Sequence, residues 1–163
     1  MKRPISKDEA YAKMTAICAV SEQCSHDIKQ KLLSRGLNAD DADAVVERLK
    51  NERFIDDKRY ALAFARDKSR FQGWGRVKVK RALTLKHIAA DSIDAALAEI
   101  APEGEYEQLV NALRRKRELS SATGAKLWAQ LFRFAAARGY ESALIYKAMK
   151  ELGTKPEEID EME

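Results

Sequence analysis

Ten basic side chains (Lys58, Arg59, Arg66, Lys68, Arg70, Arg76, Lys78, Lys80, Arg81 and Lys86) face only Asp56, Asp57 and Asp67 between positions 56 and 86, a local balance of +7. The chemistry open to them is neutralisation of phosphate, because a lysine or arginine set on a polyanion releases bound counterions whatever the base sequence. Arg76 and Lys80 share one helical stripe at i, i+4, with Lys78 and Arg81 on the neighbouring stripe and all four away from Val79 and Leu83. Upstream, Arg66 and Arg70 form another i, i+4 pair beside Phe71, and Trp74 lies between two glycines, where an exposed ring could stack on an unpaired base. The same residues also suit a solvated helix face with a buried tryptophan, so charge alone leaves both readings open. Arg114-Arg115-Lys116-Arg117 is a second block. Four adjacent bases span more than a helical turn and cannot all point one way; a supplementary anion-binding edge, placement at a helix C-terminus and a nuclear-signal pattern are its readings.

Other chemistries find less support. Gly73-Trp74-Gly75-Arg76-Val77-Lys78 offers backbone amides and a lysine, yet it lacks the preceding strand and the G-x-x-x-x-G-K-[ST] spacing that wraps a phosphate chain. Cys18, Cys24 and His26 form a C-x5-C-x-H cluster without the paired spacing of a zinc site, and no third group stands at a spacing that would orient a Cys/His catalytic pair. The acids gather at helix starts and near position 160, with no pair placed for general acid and base work. No catalytic residue, cofactor or metal is expected.

The net charge of +4 conceals an asymmetry, since positions 151–163 carry six acids and one base. That segment reads either as a solubilising end or as a competitor for the basic face. Hydrophobic residues at 45% and charged residues at 34% suit a folded helical protein. No run approaches the roughly 18 apolar residues of a membrane span, and Met1-Lys2-Arg3-Pro4 lacks the apolar stretch of a secretory leader, so a cytoplasmic protein with free thiols is expected.

The elements that must position these side chains are helices. Ala42, Val45, Val46, Leu49; then Ile93, Ala96, Leu97, Ile100; then Ile145, Ala148, Met149, Leu152 each fall at i, i+3, i+4, i+7, with offsets of 51 and 52 residues between the sets. Such self-similarity marks a repeat architecture. It predicts an all-α chain of three tandem three-helix repeats, 1–53, 54–102 and 103–153, in an elongated, curved right-handed or solenoid-like array followed by an acidic tail, 154–163. Ser6 with Glu9 forms a capping box for the first helix, Ser25 is expected to cap the second, and Asn38 with Asp41 opens the third. Asp56 or Asp57 caps the fourth, which carries Tyr60, Phe64 and Phe71 on one face. The fifth places Val79 and Leu83 inward, matching Ile28 and Leu32 of the first repeat; the sixth runs from about Ala90 to Ile100. Pro102 and Gly104 mark a junction, helix seven spans about Glu105 to Leu119, Thr123 caps helix eight, and helix nine begins near Tyr140. Helix eight is apolar on most sides, fit for a sandwiched element or a contact surface. Gly36 and Gly139 stand at equivalent helix stops, where the second repeat has His87.

The segment Phe54-Ile55-Asp56-Asp57-Lys58-Arg59-Tyr60-Ala61-Leu62-Ala63-Phe64, followed by Gly75 and then Val79, Leu83 and Ile88, resembles the bacterial RecX family, with its F-I-D-D-x-R-Y-A-x-x-F hallmark, glycine, basic helix and K-G-I-like end. His87 departs from that pattern by replacing the usual glycine. The resemblance implies a non-enzymatic regulator of homologous recombination and DNA repair. It implies a monomer that lies along RecA filaments on DNA across adjacent protomers, inhibits ATPase and strand exchange, and binds single- or double-stranded DNA weakly and salt-sensitively. On this reading Phe54, Ile55, Tyr60 and Phe64 pack between helices, with Asp56 or Asp57 as the cap, while Arg59 and Gly75 belong to the same structural motif. Contact is expected through Arg66, Arg70, Arg76, Lys78, Lys80 and Arg81, then Arg114, Arg115, Lys116 and Arg117. Two other readings remain: an independent helix-turn-helix DNA-binding module whose fifth helix enters a groove, and a general α-solenoid adaptor for peptides.

Overall fold

A computed structural model describes residues 3–156; most of the acidic tail, from Glu157 on, lies outside the described residues. Within them the regular structure is entirely helical: α1 (Lys7–Val20), α2 (Ser25–Ser34), α3 (Ala39–Asn51), α4 (Asp57–Gln72), α5 (Arg76–Leu85), α6 (Ala90–Ala98), α7 (Pro102–Leu119), α8 (Gly124–Ala137) and α9 (Ser142–Glu151). The periodic apolar sets lie on α3, α6 and α9, with Ile100 and Leu152 just past the ends of the last two, since α6 stops at Ala98 rather than the expected Ile100. All their members are buried except Leu97 and Leu152, which are half-buried, so the spacing does define the inward face of each third helix.

Chain packing falls into two compact units, Met1–Phe64 with Leu83–Ala96, and Ala65–Ala82 with Leu97–Glu163. This division runs through α4, α5 and α6. In the first unit, Ala10 and Met14 of α1, Ile28 and Leu32 of α2, and Ala42, Val45, Val46 and Leu49 of α3 close one core with Leu37 and Ile55. In the second, Leu109, Val110 and Leu113 of α7 meet Leu131 and Ala135 of α8 and Ile145, Ala148 and Met149 of α9, with Tyr140.

The helix starts follow side-chain capping, with some reassignments. Ser6 and Glu9 form the expected capping box, and the Asn38 side chain accepts from Asp41 N at 2.8 Å. Ser25 does not cap α2. Cys24 holds that position, its Sγ accepting from Asp27 N at 3.5 Å, while Ser25 is already helical and donates from N and Oγ to Asp57 Oδ1 at 2.8 and 3.1 Å. The choice between the two aspartates is thereby settled: Asp56 caps α4 by accepting from Arg59 N at 3.0 Å, and the Asp57 carboxylate sits at the N-terminus of α2, where the helix dipole favours negative charge. Arg59 completes the junction, donating from Nε to Glu22 at 2.6 Å and from Nη2 to the carbonyls of Arg53 and Phe54 just past α3. Ile55 is 2% exposed, whereas Phe54 is partly exposed and meets Tyr11 edge to face. The F-I-D-D-x-R segment is therefore a fastener for three helix ends.

Tyr60, Phe64 and Phe71 do share one face of α4, but the buried stripe is Ala61 and Ala65, about a quarter turn away. Tyr60 and Phe64 are half-buried and in ring contact, while Phe71, on the same face, is 82% exposed. Helix seven starts three residues earlier than expected because Pro102 takes its first turn, where a missing N–H costs nothing. Helix eight follows Thr123, although that side chain makes no capping hydrogen bond, and α9 begins at Ser142.

Five helices end by one device. Leu37 N donates to Leu32 O, Phe54 N to Leu49 O, Ile88 N to Leu83 O, Tyr140 N to Ala135 O and Thr154 N to Met149 O, each after a residue with positive φ. His87 adopts φ 56° and keeps the stop that Gly36 (φ 91°) and Gly139 (φ 88°) make, so the departure from glycine changes the residue and not the geometry. At Gly139 the backbone also touches α5, and an added Cβ would lie 2.2 Å from Lys78 Cβ. We predict that Gly139→Ala destabilises the protein by at least about 2 kcal/mol in urea unfolding, combining left-handed strain with the clash; a loss under about 0.5 kcal/mol would contradict the packing described.

Candidate nucleic-acid interface

All ten expected contact residues lie in the second compact unit. Their framework is the junction of α5 with the end of α8. Gly75 N donates to Arg138 O at 2.8 Å and Val77 N to Gly139 O at 2.9 Å, so the carbonyls ending one helix satisfy the amides starting the other. Backbones approach this closely because Gly75 has no side chain; a Cβ there would lie 2.4 Å from Gly139 O. Tyr140 donates its hydroxyl proton to Gly73 O at 2.9 Å, and burial pushes that phenol up to about 12. The glycine turn is not a phosphate cradle: Trp74 N also donates internally, to Lys68 O, and Arg76 N donates to Glu105 Oε1.

Arg76, one of the expected contact residues, is held by an internal ion pair. Its Nε donates to Glu105 Oε2 at 2.8 Å and its Nη2 to Ile100 O at 3.2 Å. Glu105 is a charged side chain buried to 5% exposure, so this arginine is committed to neutralising it. Trp74 is half-buried, between the exposed and buried readings left open for it, with Lys68 Nζ and Lys78 Nζ 4.8 and 4.2 Å from its ring centroid.

The other cations differ in how far they are engaged. Arg66 is exposed and pairs with Glu99 at 3.2 Å, a solvent-screened contact of little energetic weight. Lys80 and Arg81 are exposed on α5. Arg70, Arg81 and Arg115 have no ion-pair partner among the described residues. The four-base block does splay: Arg114 is exposed beside Asn111, Arg115 is exposed, Lys116 lies 5.5 Å from the Phe134 ring, and Arg117 donates to Leu152 O at the end of α9.

Arg70 and Arg115 line a groove of about 510 Å³ together with Phe71, Lys116, Leu119 and Arg138, and no acid lines it. Arg138 escaped the sequence reading because it stands alone, one residue before a helix-stopping glycine; that position, where helix dipoles favour cations, was the available signal. Phe71 and Leu119, 82% and 87% exposed, form its apolar rim. The apolar residues of helix eight divide between the two readings given for that helix: Leu131 and Ala135 are core, whereas Trp128 stacks on both Phe132 and half-exposed Tyr146.

Burial pushes the Cys24 thiol up to about 11 and raises Cys18 as well, the direction that suppresses thiolate. Among the described residues no three His, Cys, Asp or Glu side chains come together, and no helix is long and apolar enough to cross a membrane.

Family models describe the second and third three-helix domains of RecX, and they match residues 56–97 and 103–149. The Regulatory protein RecX of Vibrio campbellii is 30% identical over 115 residues, covering 71% of this chain and 73% of that protein. The Halalkalibacterium halodurans protein of the same name is 28% identical over 139 residues, covering 85% of this chain and 52% of its own length. The chain thus spans about half the length of this relative, and 59% of a 31% identical RecX from Clostridium botulinum. The crystal structure of RecX from Lactobacillus salivarius superposes with a TM-score of 0.75 at 18% identity, over 90% of this chain and 96% of that one. These matches fall on the segments that build the α5–α8 junction.

Removal of the Arg76 side chain would leave Glu105 charged and unpaired. Arg76→Ala is predicted to cost about 3 kcal/mol in chemical unfolding, with Glu105→Gln in the same chain recovering part of the loss. Unfolding midpoints indistinguishable from the parent would remove this pair from the framework.

Proposed function

The chain belongs to the RecX family, and on that basis we propose that it is a non-catalytic regulator that binds RecA filaments on DNA and restrains their ATPase and strand exchange. Family membership is the observation that carries the reading, and the distribution of charge supports it. A RecA filament on DNA presents phosphate over a long surface, and cations held on rigid helices can meet it without reordering. Repeated three-helix units let individually weak contacts add, because each contact raises the effective concentration of the next. On this reading the protein works as a cytoplasmic monomer, and its affinity for bare DNA is low and falls with salt.

The contact set we propose is Arg66, Arg70, Lys78, Lys80 and Arg81, extended by Arg114, Arg115 and Lys116. Arg76 is excluded by its bond to Glu105, and Arg117 is partly spent on the end of α9. An independent helix-turn-helix module fits less well. Recognition helices present their N-terminal residues to base edges, whereas the first turn of α5 is bonded to the end of α8.

The test is the ATPase of RecA on single-stranded DNA, titrated with parent protein and with Arg70→Glu/Arg81→Glu, both exposed positions. The parent should inhibit, and the double variant should need about tenfold more protein for the same effect at moderate salt while keeping its helical circular dichroism. Equal inhibition by the folded variant would move the contact elsewhere, and no inhibition by the parent would end the proposal.

A further inference from the structure

The groove bounded by Arg70, Arg115, Lys116 and Arg138 joins four cations to an exposed apolar rim of Phe71 and Leu119, all within the second compact unit. Arg70 and Arg115 are exposed and have no ion-pair partner among the described residues. Lys116 and Arg138 lie against the Phe134 ring, 5.5 and 4.7 Å from its centroid, and Arg138 Nη1 donates to Gln72 O at 3.4 Å. Gln108 Nε2 donates to Ser69 O at 2.5 Å, which holds the α4 and α7 walls together. A ligand entering walls already in place does not have to order them.

Two properties of the groove select its ligand. With four cations and no acid along it, the ligand must be anionic, and arginine forks pair with carboxylate as well as with phosphate. The rim then separates these two classes. Leu119, 87% exposed, is a branched aliphatic chain beside the cations, where a nucleotide would set polar base edges and sugar against it and leave them unpaired. The one ring inside the groove that a base could use, Phe134, already has Lys116 and Arg138 against it. An acidic peptide with large apolar side chains satisfies both halves at once. We propose that this groove takes such a segment of another protein, its carboxylates on Arg70, Arg115, Lys116 and Arg138 and one or two apolar side chains on Phe71 and Leu119. On the filament-binding reading the groove is then a foothold on protein, with Lys80 and Arg81 left for phosphate; that role rests on the reading, and the peptide chemistry does not.

The test needs no RecA. Three fluorescent probes are titrated into the full-length protein by anisotropy: the peptide Glu-Glu-Phe-Glu-Glu-Leu-Glu-Glu, the same peptide with serine for its phenylalanine and leucine, and a thymidine oligonucleotide of matching charge. The parent should bind the first peptide about tenfold more tightly than the serine peptide, the apolar pair supplying the difference. Phe71→Ser/Leu119→Ser, both exposed positions, should erase that difference and leave the oligonucleotide affinity unchanged. Arg70→Glu/Arg115→Glu should lose both peptides while keeping its helical circular dichroism. Equal affinity of the parent for the two peptides, or a difference that survives the loss of the rim, would overturn the proposal. Weakening of the oligonucleotide by the rim variant, with the peptides unaffected, would make the groove a nucleic-acid site and overturn it too. So would a parent that sediments as a dimer while the rim variant is monomeric, since a second copy would then cover Phe71 and Leu119. Loss of the peptide result with RecA inhibition intact would leave the regulator reading standing. Peptide binding without RecA inhibition would do the reverse.

Discussion

The second compact unit depends on a contact between two backbones. The carbonyls that end α8 are acceptors without intrahelical partners, and the amides that begin α5 are donors in the same condition; joined at 2.8 and 2.9 Å, each satisfies the other. Such an approach tolerates no Cβ at position 75 or 139. It also fixes where the remaining groups go. Arg76, at the first position of α5, is delivered to the buried Glu105 of α7, and Tyr140, just past the α8 stop, reaches Gly73. α5, α7 and α8 are thus registered by polar contacts at their ends, while Leu109, Leu113, Leu131 and Ile145 supply non-directional burial among α7, α8 and α9.

That registration decides which cations face outward. With α5 pinned at its first turn, Lys80 and Arg81 are held at the surface and Lys78 is laid on Trp74. Gln108 Nε2 donates to Ser69 O at 2.5 Å, holding the end of α4 against α7, and this places Arg70 beside Arg115 across a groove without acids. Rigid placement matters for a polyanion partner because side chains already in position lose less entropy on contact. The helix ends do the positioning and the exposed arginines do the binding.

The parts of this architecture legible in the sequence were those governed by local rules. Apolar period placed α3, α6 and α9, the Ser6/Glu9 and Asn38/Asp41 pairs marked two starts, and Gly36 and Gly139 marked two stops, because each depends on residues within one turn. His87 shows the limit of residue type: φ 56° is reached without glycine because the surrounding helix stop imposes it. Less was legible where a distant partner decided the outcome. Asp56 and Asp57 stood as alternative caps of α4 until the bond of Asp57 to Ser25, 32 positions away, separated them, and the ion pair of Arg76 with Glu105, 29 residues on, has no local signal. On α4 the large aromatics drew attention to the face of Tyr60, Phe64 and Phe71, whereas the small Ala61 and Ala65 form the buried stripe. Arg138 carried no neighbouring charge to mark it.

The most direct test of the account compares affinity for one fluorescent single-stranded oligonucleotide, bare and coated with RecA, at physiological salt. A filament regulator that uses repeated weak contacts should bind the coated strand at least about a hundredfold more tightly, since only the filament engages several units at once. Equal affinity for the bare and coated strands would contradict it.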